Sequence, residues 1–259
     1  MSDAITGADH VADAAARLEQ IRAEAPRIHC ITNLAANVFT ANVLLALGAV
    51  PSLTLAREEV ADFVSGSRAL LVNLGTLDGE RRQAIPVAIA AARQAGRPWI
   101  LDPVFANRSP GRLEMAAALC GQGPAAIRAN GAEVAALAQA LRLGEGGARE
   151  LALAARACVA MTGKRDQVCA GERKAEISNG HELMDKVTAM GCALGAVLAA
   201  FCAVESDPFA AAVQALTVFA VAGDVAGEQA KGPGSFVPAF LDALYAIDQE
   251  TLKKRALIA

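Results

Sequence analysis

Short runs of β-forming residues alternate with helical patterns through the first two-thirds of the chain, and this alternation most constrains the fold. Runs at 28–31, 50–53, 69–73, 99–101, 126–128 and 159–161 read as strands, with helical patterns at 9–24, 34–47, 57–65, 79–95, 111–121, 131–141 and 147–157. That order predicts an α/β protein with a mostly parallel central sheet and helices on both faces. Two further runs, 168–170 and 174–177, are split by Gly171-Glu172 and read as a hairpin on the same sheet. From Gly191 onward the pattern is mainly helical. The chain has 259 residues, no low-complexity tract and no Pro/Gly/Ser linker, so one domain over 1–259 is expected.

Composition narrows the function classes. The hydrophobic fraction is 54% and the aromatic fraction only 4%, a composition for packing helices closely against a sheet. Net charge is −3 with no basic stripe, so nucleic acid is excluded as a partner. Ser2-Asp3-Ala4-Ile5-Thr6 lacks the basic and apolar parts of a signal peptide, and apolar runs such as 192–204 fall short of a bilayer span. No membrane partner is expected. Cys30, Cys120, Cys158, Cys169, Cys192 and Cys202 show no C-x-x-C spacing, which reads as buried reduced thiols in a cytoplasmic protein. His10, His29 and His181 form no zinc-type cluster.

Open sheets of this kind bind ligands beyond the carboxyl ends of their strands. Asn33, Asn73, Asp102, Arg128 and Thr162 each lie at or just after such an end. A second signal sits at 185–203, where a polar segment runs through Gly191 into a long apolar helix with Cys192 in its first turn. Helix N-termini carry unpaired N–H groups and the positive end of the dipole, so small residues there suit a phosphoryl group in transfer. The same field favours thiolate at Cys192. Plain tight packing accounts equally well for the small residues.

Familiar nucleotide motifs are missing. Gly163-Lys164 is followed by Arg165, so there is no P-loop, and no G-x-G-x-x-G follows a strand. Asn130 and Glu133 form a capping box, and Glu133 is also placed to hold waters of a Mg²⁺ ion, with Asp102 as a second strand-end carboxylate. Arg128 offers a guanidinium fork for phosphates or is an ordinary solvated charge. Thr162-Gly163 is a turn or a nucleotide contact, and Asn33 caps the next helix or bonds a small substrate.

Taken in order, several segments resemble the hydroxyethylthiazole kinases of the ribokinase-like superfamily. They are His29-Cys30-Ile31-Thr32-Asn33, Phe39-Thr40-Ala41-Asn42 with Leu45-Ala46-Leu47-Gly48-Ala49, Asn73-Leu74-Gly75-Thr76-Leu77 and Leu101-Asp102-Pro103-Val104. Ile127-Arg128-Ala129-Asn130 with Glu133, Thr162-Gly163, Val187-Thr188 with Gly191-Cys192, and Lys231-Gly232-Pro233-Gly234-Ser235-Phe236 complete the set. The resemblance spans roughly residues 15–245. It implies a ribokinase-like three-layer sandwich and ATP- and Mg²⁺-dependent phosphorylation of the primary hydroxyl of 4-methyl-5-(2-hydroxyethyl)thiazole in thiamine salvage. It also implies a homotrimer with sites at subunit interfaces. By carry-over, Arg128 and Thr162 bind ATP, Asp102 and Glu133 organise the metal, and Asn33, Leu53 and Ala189 line the thiazole pocket. Gly191 belongs to the anion cradle, and Cys192 stands where related sugar kinases carry an aspartate base.

Three positions depart from the family pattern. Ala189 replaces a glycine, which is costly if that backbone needs positive φ. Leu53 replaces a methionine of similar size. Phe105-Ala106-Asn107-Arg108 replaces a glycine-rich loop. A kinase for a pyrimidine or pyridoxal-type alcohol, and a non-catalytic small-molecule binder, remain as alternatives.

Overall fold

The computed structural model describes residues 7–144 and 146–259; the segment Ser2–Thr6 and Glu145 lie outside the described residues. Eight strands form one sheet: β1 (Arg27–Ile31), β2 (Val50–Ser52), β3 (Ala69–Asn73), β4 (Trp99–Asp102), β5 (Ala126–Asn130), β6 (Cys158–Thr162), β7 (Asp166–Ala170) and β8 (Arg173–Ile177). Their spatial order is β2-β1-β3-β4-β5-β6-β7-β8. Strands β1 to β6 pair in parallel, and β7 and β8 add an antiparallel hairpin at one edge. The helices are α1 (Gly7–Glu24), α2 (Asn37–Leu47), α3 (Val60–Ser65), α4 (Gly79–Gln94), α5 (Pro110–Cys120), α6 (Gly131–Ala140) and α7 (Ala148–Ala155). After the sheet come α8 (Met190–Cys202), α9 (Pro208–Gln229), α10 (Pro233–Ala246) and α11 (Gln249–Arg255). The predicted architecture is therefore present, with most element ends displaced by one to three residues.

Strand side chains alternate between the two sheet faces, and two cores follow. Ala69, Leu71, Ile100, Ala126, Cys158 and Ala160 point into the core under α1, α2, α8, α9 and α10. Leu70, Val72, Trp99, Leu101, Ile127 and Val159 point into the core under α3 to α7. The same period of two decides where the polar strand ends go. Asn73, Asp102, Arg128 and Thr162 each lie two residues beyond a member of the first core, so all four share the face that α8 covers.

Helix α9 was not legible as one element. It runs 22 residues and is long and apolar enough to cross a membrane by length and composition, yet 83% of its most apolar window is buried within the molecule. It is a core helix packed between α8, α10 and α1. The apolar run 43–50 also divides: Val43, Leu44 and Leu47 are buried in the chain's own core, while Leu45 and Val50 join Leu34, Val38 and Phe63 as exposed apolar residues around α2 and β2.

Candidate active site

A cavity of about 350 Å³ opens at the carboxyl ends of the central strands, below the N-terminus of α8. Asn33, Arg128, Glu133, Ala189, Gly191 and Cys192 line it, joined by Gly75, Thr76, Phe105, Arg112, Asn130 and Thr188. The strand-end rule and the helix-start signal thus meet in one place. A second cleft of about 390 Å³ lies where β5 and β6 begin, but its Arg173 and Asp207 already pair with each other at 2.6 Å.

Arg128 is the cation on one side of the cavity. It lies within β5, two residues short of the strand end rather than at it, because β5 continues to Asn130. Its Nη2 donates to Thr162 Oγ1 at 2.7 Å, and its Nη1 lies 3.7 Å from Asp102 Oδ1, beyond hydrogen-bond reach. The guanidinium rests against Gly191: a Cβ there would fall 2.5 Å from both terminal nitrogens. A cation pressed on a helix N-terminus meets the positive end of the dipole, so the pair is suited to an anion that both can bind. Thr162 does not line the cavity and reaches it through Arg128.

Two carboxylates flank this cation. Asp102 is fully buried; burial pushes its carboxyl up to about 7, with Arg128 opposing the rise and Glu133 adding to it. Its Oδ2 accepts from Asn73 Nδ2 at 2.8 Å, while its Oδ1 has no hydrogen-bond partner. Glu133 completes the capping box: Asn130 N–H donates to Oε2 at 2.9 Å, and Asn130 Oδ1 accepts from Glu133 N–H. Its Oε1 accepts from Phe105 N–H at 2.8 Å, so the same side chain pins the loop after β4. Arg112 Nη1 holds the preceding carbonyl, that of Val104. This Arg112 clamp had no signature in the sequence. Nor did Asp166, whose carboxyl is pushed by burial up to about 6 beside Arg128 and accepts from Gly163 N–H at 3.0 Å.

On the opposite side of the cavity, Asn33 is not a helix cap. Helix α2 begins four residues later, at an Ala36 N-cap without a side-chain bond. Instead Asn33 Nδ2 donates to Asn73 Oδ1 at 3.1 Å and to Cys192 Sγ at 3.2 Å. The Thr32 carbonyl just before it accepts from the buried Arg81 Nε at 2.9 Å, which fixes this turn. Leu53 lies beyond β2, half-buried against the α2 side of the core, and does not line this cavity.

The helix field at Cys192, which favours thiolate, is outweighed by burial. Burial pushes the thiol up to about 11, and the nearby Asp102 carboxyl adds to that. Hydrogen bonds from Asn73 and Asn33 and the charge of Arg128 act the other way and do not offset burial. At neutral pH the group is a thiol, with roughly one part in ten thousand ionised. Iodoacetamide at pH 8 is therefore expected to label Cys192 at least 10²-fold more slowly in the folded protein than in the unfolded chain, read by peptide mass spectrometry. A comparable rate would show an ionised, accessible thiol.

Ala189 adopts φ 70°, ψ 2°, in the left-handed region, at the N-cap of α8. A non-glycine residue there costs about 1–2 kcal/mol. Ala189→Gly is expected to stabilise the protein by about 1 kcal/mol, read as a higher urea midpoint; an unchanged or lower midpoint would show that the loop carries no strain. Phe105 also takes positive φ, at 56°, and stays exposed at the cavity mouth before a 3-10 turn over Ala106–Arg108.

Comparison with known proteins bears on this arrangement. The model of the hydroxyethylthiazole kinase family matches residues 18–250. The chain belongs to the hydroxyethylthiazole kinase family. A hydroxyethylthiazole kinase from Tolumonas auensis is 46% identical over 252 residues, covering 92% of this chain and 94% of the relative. Among solved structures, a hydroxyethylthiazole kinase from Pyrococcus horikoshii superposes with a TM-score of 0.90 at 34% identity, covering 96% of this chain and 98% of the other. A ribokinase-like superfamily protein from Enterococcus faecalis superposes with a TM-score of 0.63 at 14% identity over 88% of this chain and 89% of the other, a likeness of fold alone. As a member of the hydroxyethylthiazole kinase family, the chain is a kinase with the ribokinase-like fold.

Proposed function

We propose that this chain acts as one kinase domain that transfers the γ-phosphoryl group of ATP to the primary hydroxyl of 4-methyl-5-(2-hydroxyethyl)thiazole. The observation that carries this reading is Arg128, held by Thr162 and pressed onto Gly191 at the N-terminus of α8, on one side of a cavity whose other side presents Asn33 and Cys192. A cation plus free helix N–H groups form a cradle for a transferring phosphoryl group. Arg128 and Thr162 bind the nucleotide, and Gly191 lets the cradle close around its phosphates.

Among the described residues, no group of three or more His, Cys, Asp or Glu is placed to hold a metal by itself. That suits Mg²⁺, which keeps much of its water and arrives with nucleotide phosphates. The unpartnered Oδ1 of Asp102 fits as its protein contact, with Glu133 holding metal-bound water through lone pairs its two backbone bonds leave free. When bound, the ion would neutralise charge on the phosphates.

The chain's own residues then do the following. Asn33 and Ala189 border the thiazole, with Leu53 reaching it from a second copy of the chain, and Cys192, a protonated thiol, positions the hydroxyl rather than removing its proton. Phosphoryl transfer passes through a loose transition state, so the attacking oxygen needs little prior deprotonation. The substrate oxygen bonds to phosphorus as the bond to the β,γ-bridging oxygen breaks. ADP leaves, and the hydroxyl proton passes to the phosphoryl product or to water.

A cytoplasmic homotrimer with sites at subunit interfaces is part of this proposal. Leu53 lies outside the chain's own cavity, and the exposed Leu34, Val38, Leu45, Val50 and Phe63 surround its neighbourhood; contact with a second copy would cover them. The test is ADP release with Mg·ATP and the thiazole alcohol, beside hydroxymethylpyrimidine and pyridoxal. Turnover with the thiazole alone is expected. Turnover only with another alcohol would move the substrate, and ATP binding without turnover would mark a binding protein in which Ala189 and the Phe105 loop have cost the chemistry.

A further inference from the structure

Asn73, at the end of β3, is fully buried, and its carboxamide is engaged at both ends. Its Oδ1 accepts from Gly75 N–H at 3.0 Å and from Asn33 Nδ2 at 3.1 Å, while its Nδ2 donates to Asp102 Oδ2 at 2.8 Å. A backbone N–H can only donate, so the oxygen of Asn73 must face Gly75 and its nitrogen must face Asp102. This orientation commits the next amide in the chain of bonds. Facing an acceptor, Asn33 must turn its nitrogen inward, and its two amide protons go to Asn73 Oδ1 and Cys192 Sγ. Gly75 leaves room for this arrangement only because it lacks a side chain: a Cβ on it would fall 2.6–2.8 Å from the Asn33 side chain. What remains is Asn33 Oδ1, which has no hydrogen bond among the described residues, on a residue that lines the cavity.

We propose that Asn73 sets the hydrogen-bond polarity of the substrate side, fixing Asn33 as an acceptor for the O–H of the alcohol that receives the phosphoryl group. Asn73 is thus a positioning residue and a determinant of specificity, acting through Asn33. The inference rests on the kinase reading above. The thiazole alcohol carries a single hydrogen-bond donor, its hydroxyl; the ring nitrogen and sulfur have none. An acceptor at Asn33 therefore selects the hydroxyl group and holds it by its proton, leaving oxygen lone pairs free to face phosphorus. A site built around an unpaired acceptor discriminates strongly against an analogue lacking the donor, because that acceptor is then left unsatisfied.

The experiment compares dissociation constants of the thiazole alcohol and of 5-(2-fluoroethyl)-4-methylthiazole, its near-isosteric analogue without a donor. Both are titrated calorimetrically into nucleotide-free protein. The wild type is expected to favour the alcohol at least ~10-fold. In Asn73→Ala the Asn33 amide is free to turn, and the preference is expected to fall to about 2-fold or less. Asn73→Asp keeps an acceptor facing Asn33 and Gly75, so it should retain the preference even where turnover falls. A general loosening of structure would weaken both ligands alike and leave the ratio intact. If Asn73→Ala does not fold, Asn33→Ala serves: it must also abolish the preference. A wild-type ratio near one, or an unchanged ratio in Asn73→Ala or Asn33→Ala, overturns the proposal while leaving alcohol turnover untouched. Failure of the wild type to bind or phosphorylate the alcohol would instead overturn the kinase reading, and this inference with it.

Discussion

Asp102→Asn is expected to stabilise the metal-free protein at pH 8 by a few kcal/mol while abolishing most of its activity. The carboxyl is fully buried, its Oδ1 has no hydrogen bond and only Arg128 at 3.7 Å as a counter-charge, and burial raises it to about 7 in the folded state. The unfolded value is near 3.9, so the folded state holds the proton more tightly. Below pH 4 the group is protonated in both states and costs nothing. As pH rises from about 4 to 7 the unfolded chain ionises first, and stability is lost until the folded carboxyl also ionises. The wild type therefore carries the full penalty at pH 8, and the neutral amide does not. Urea unfolding in EDTA should show no difference between the two proteins at pH 4 and a clear gain for the variant at pH 8. A difference independent of pH would show that Asp102 is not held against its ionisation. Loss of kcat/KM of about 10²-fold or more is expected if Asp102 contacts the Mg²⁺ ion as proposed, since the carboxylate that would hold the ion is removed. Stability and activity are then expected to be opposed at this residue.

Much of this arrangement could be read in the sequence, and the parts that could not have physical reasons. Buried parallel strands read as continuous apolar runs, so the sequence delimits β3 at 69–73 and places β1, β4 and β6 to within a residue at each end. The capping box at Asn130 and Glu133 was legible because it is local, its partners three positions apart. Asn33 was not, because its partners are distant: Cys192 lies 159 residues away in the chain and Asn73 lies 40 away. From spacing alone, a polar residue before a helix reads as a cap. The ionisation of Cys192 was open in the sequence for a different reason. A helix start does favour thiolate, but the sequence does not show how deeply α8 buries its first turn or that Asp102 stands beside it. The left-handed backbone at Ala189 was anticipated as a question of conformation, and its φ of 70° answers it.

Gly191→Ala is expected to leave the fold intact and to cost ~10–10²-fold in kcat/KM, most of it as weaker ATP binding. Gly191 lies within α8, and its φ is not in the left-handed region. Alanine there gains helix propensity of about 1 kcal/mol. The added Cβ would nevertheless stand 2.5 Å from both terminal nitrogens of Arg128. Those atoms end a flexible side chain, so the clash is relieved by swinging the guanidinium aside and not by moving the backbone. The relief is cheap for folding and costly for function: Arg128 leaves Thr162 and Asp102 and no longer stands over the helix N-terminus. Arg128→Met sets the limit of the loss, about 10²–10³-fold for a phosphate-directed cation. Because both changes act on one group, they should not add. The double variant is expected to be no worse than Arg128→Met alone, with a urea midpoint close to it. A double variant that multiplies the two losses would show that Gly191 serves the phosphate by itself, through its backbone N–H, and not by making room for Arg128.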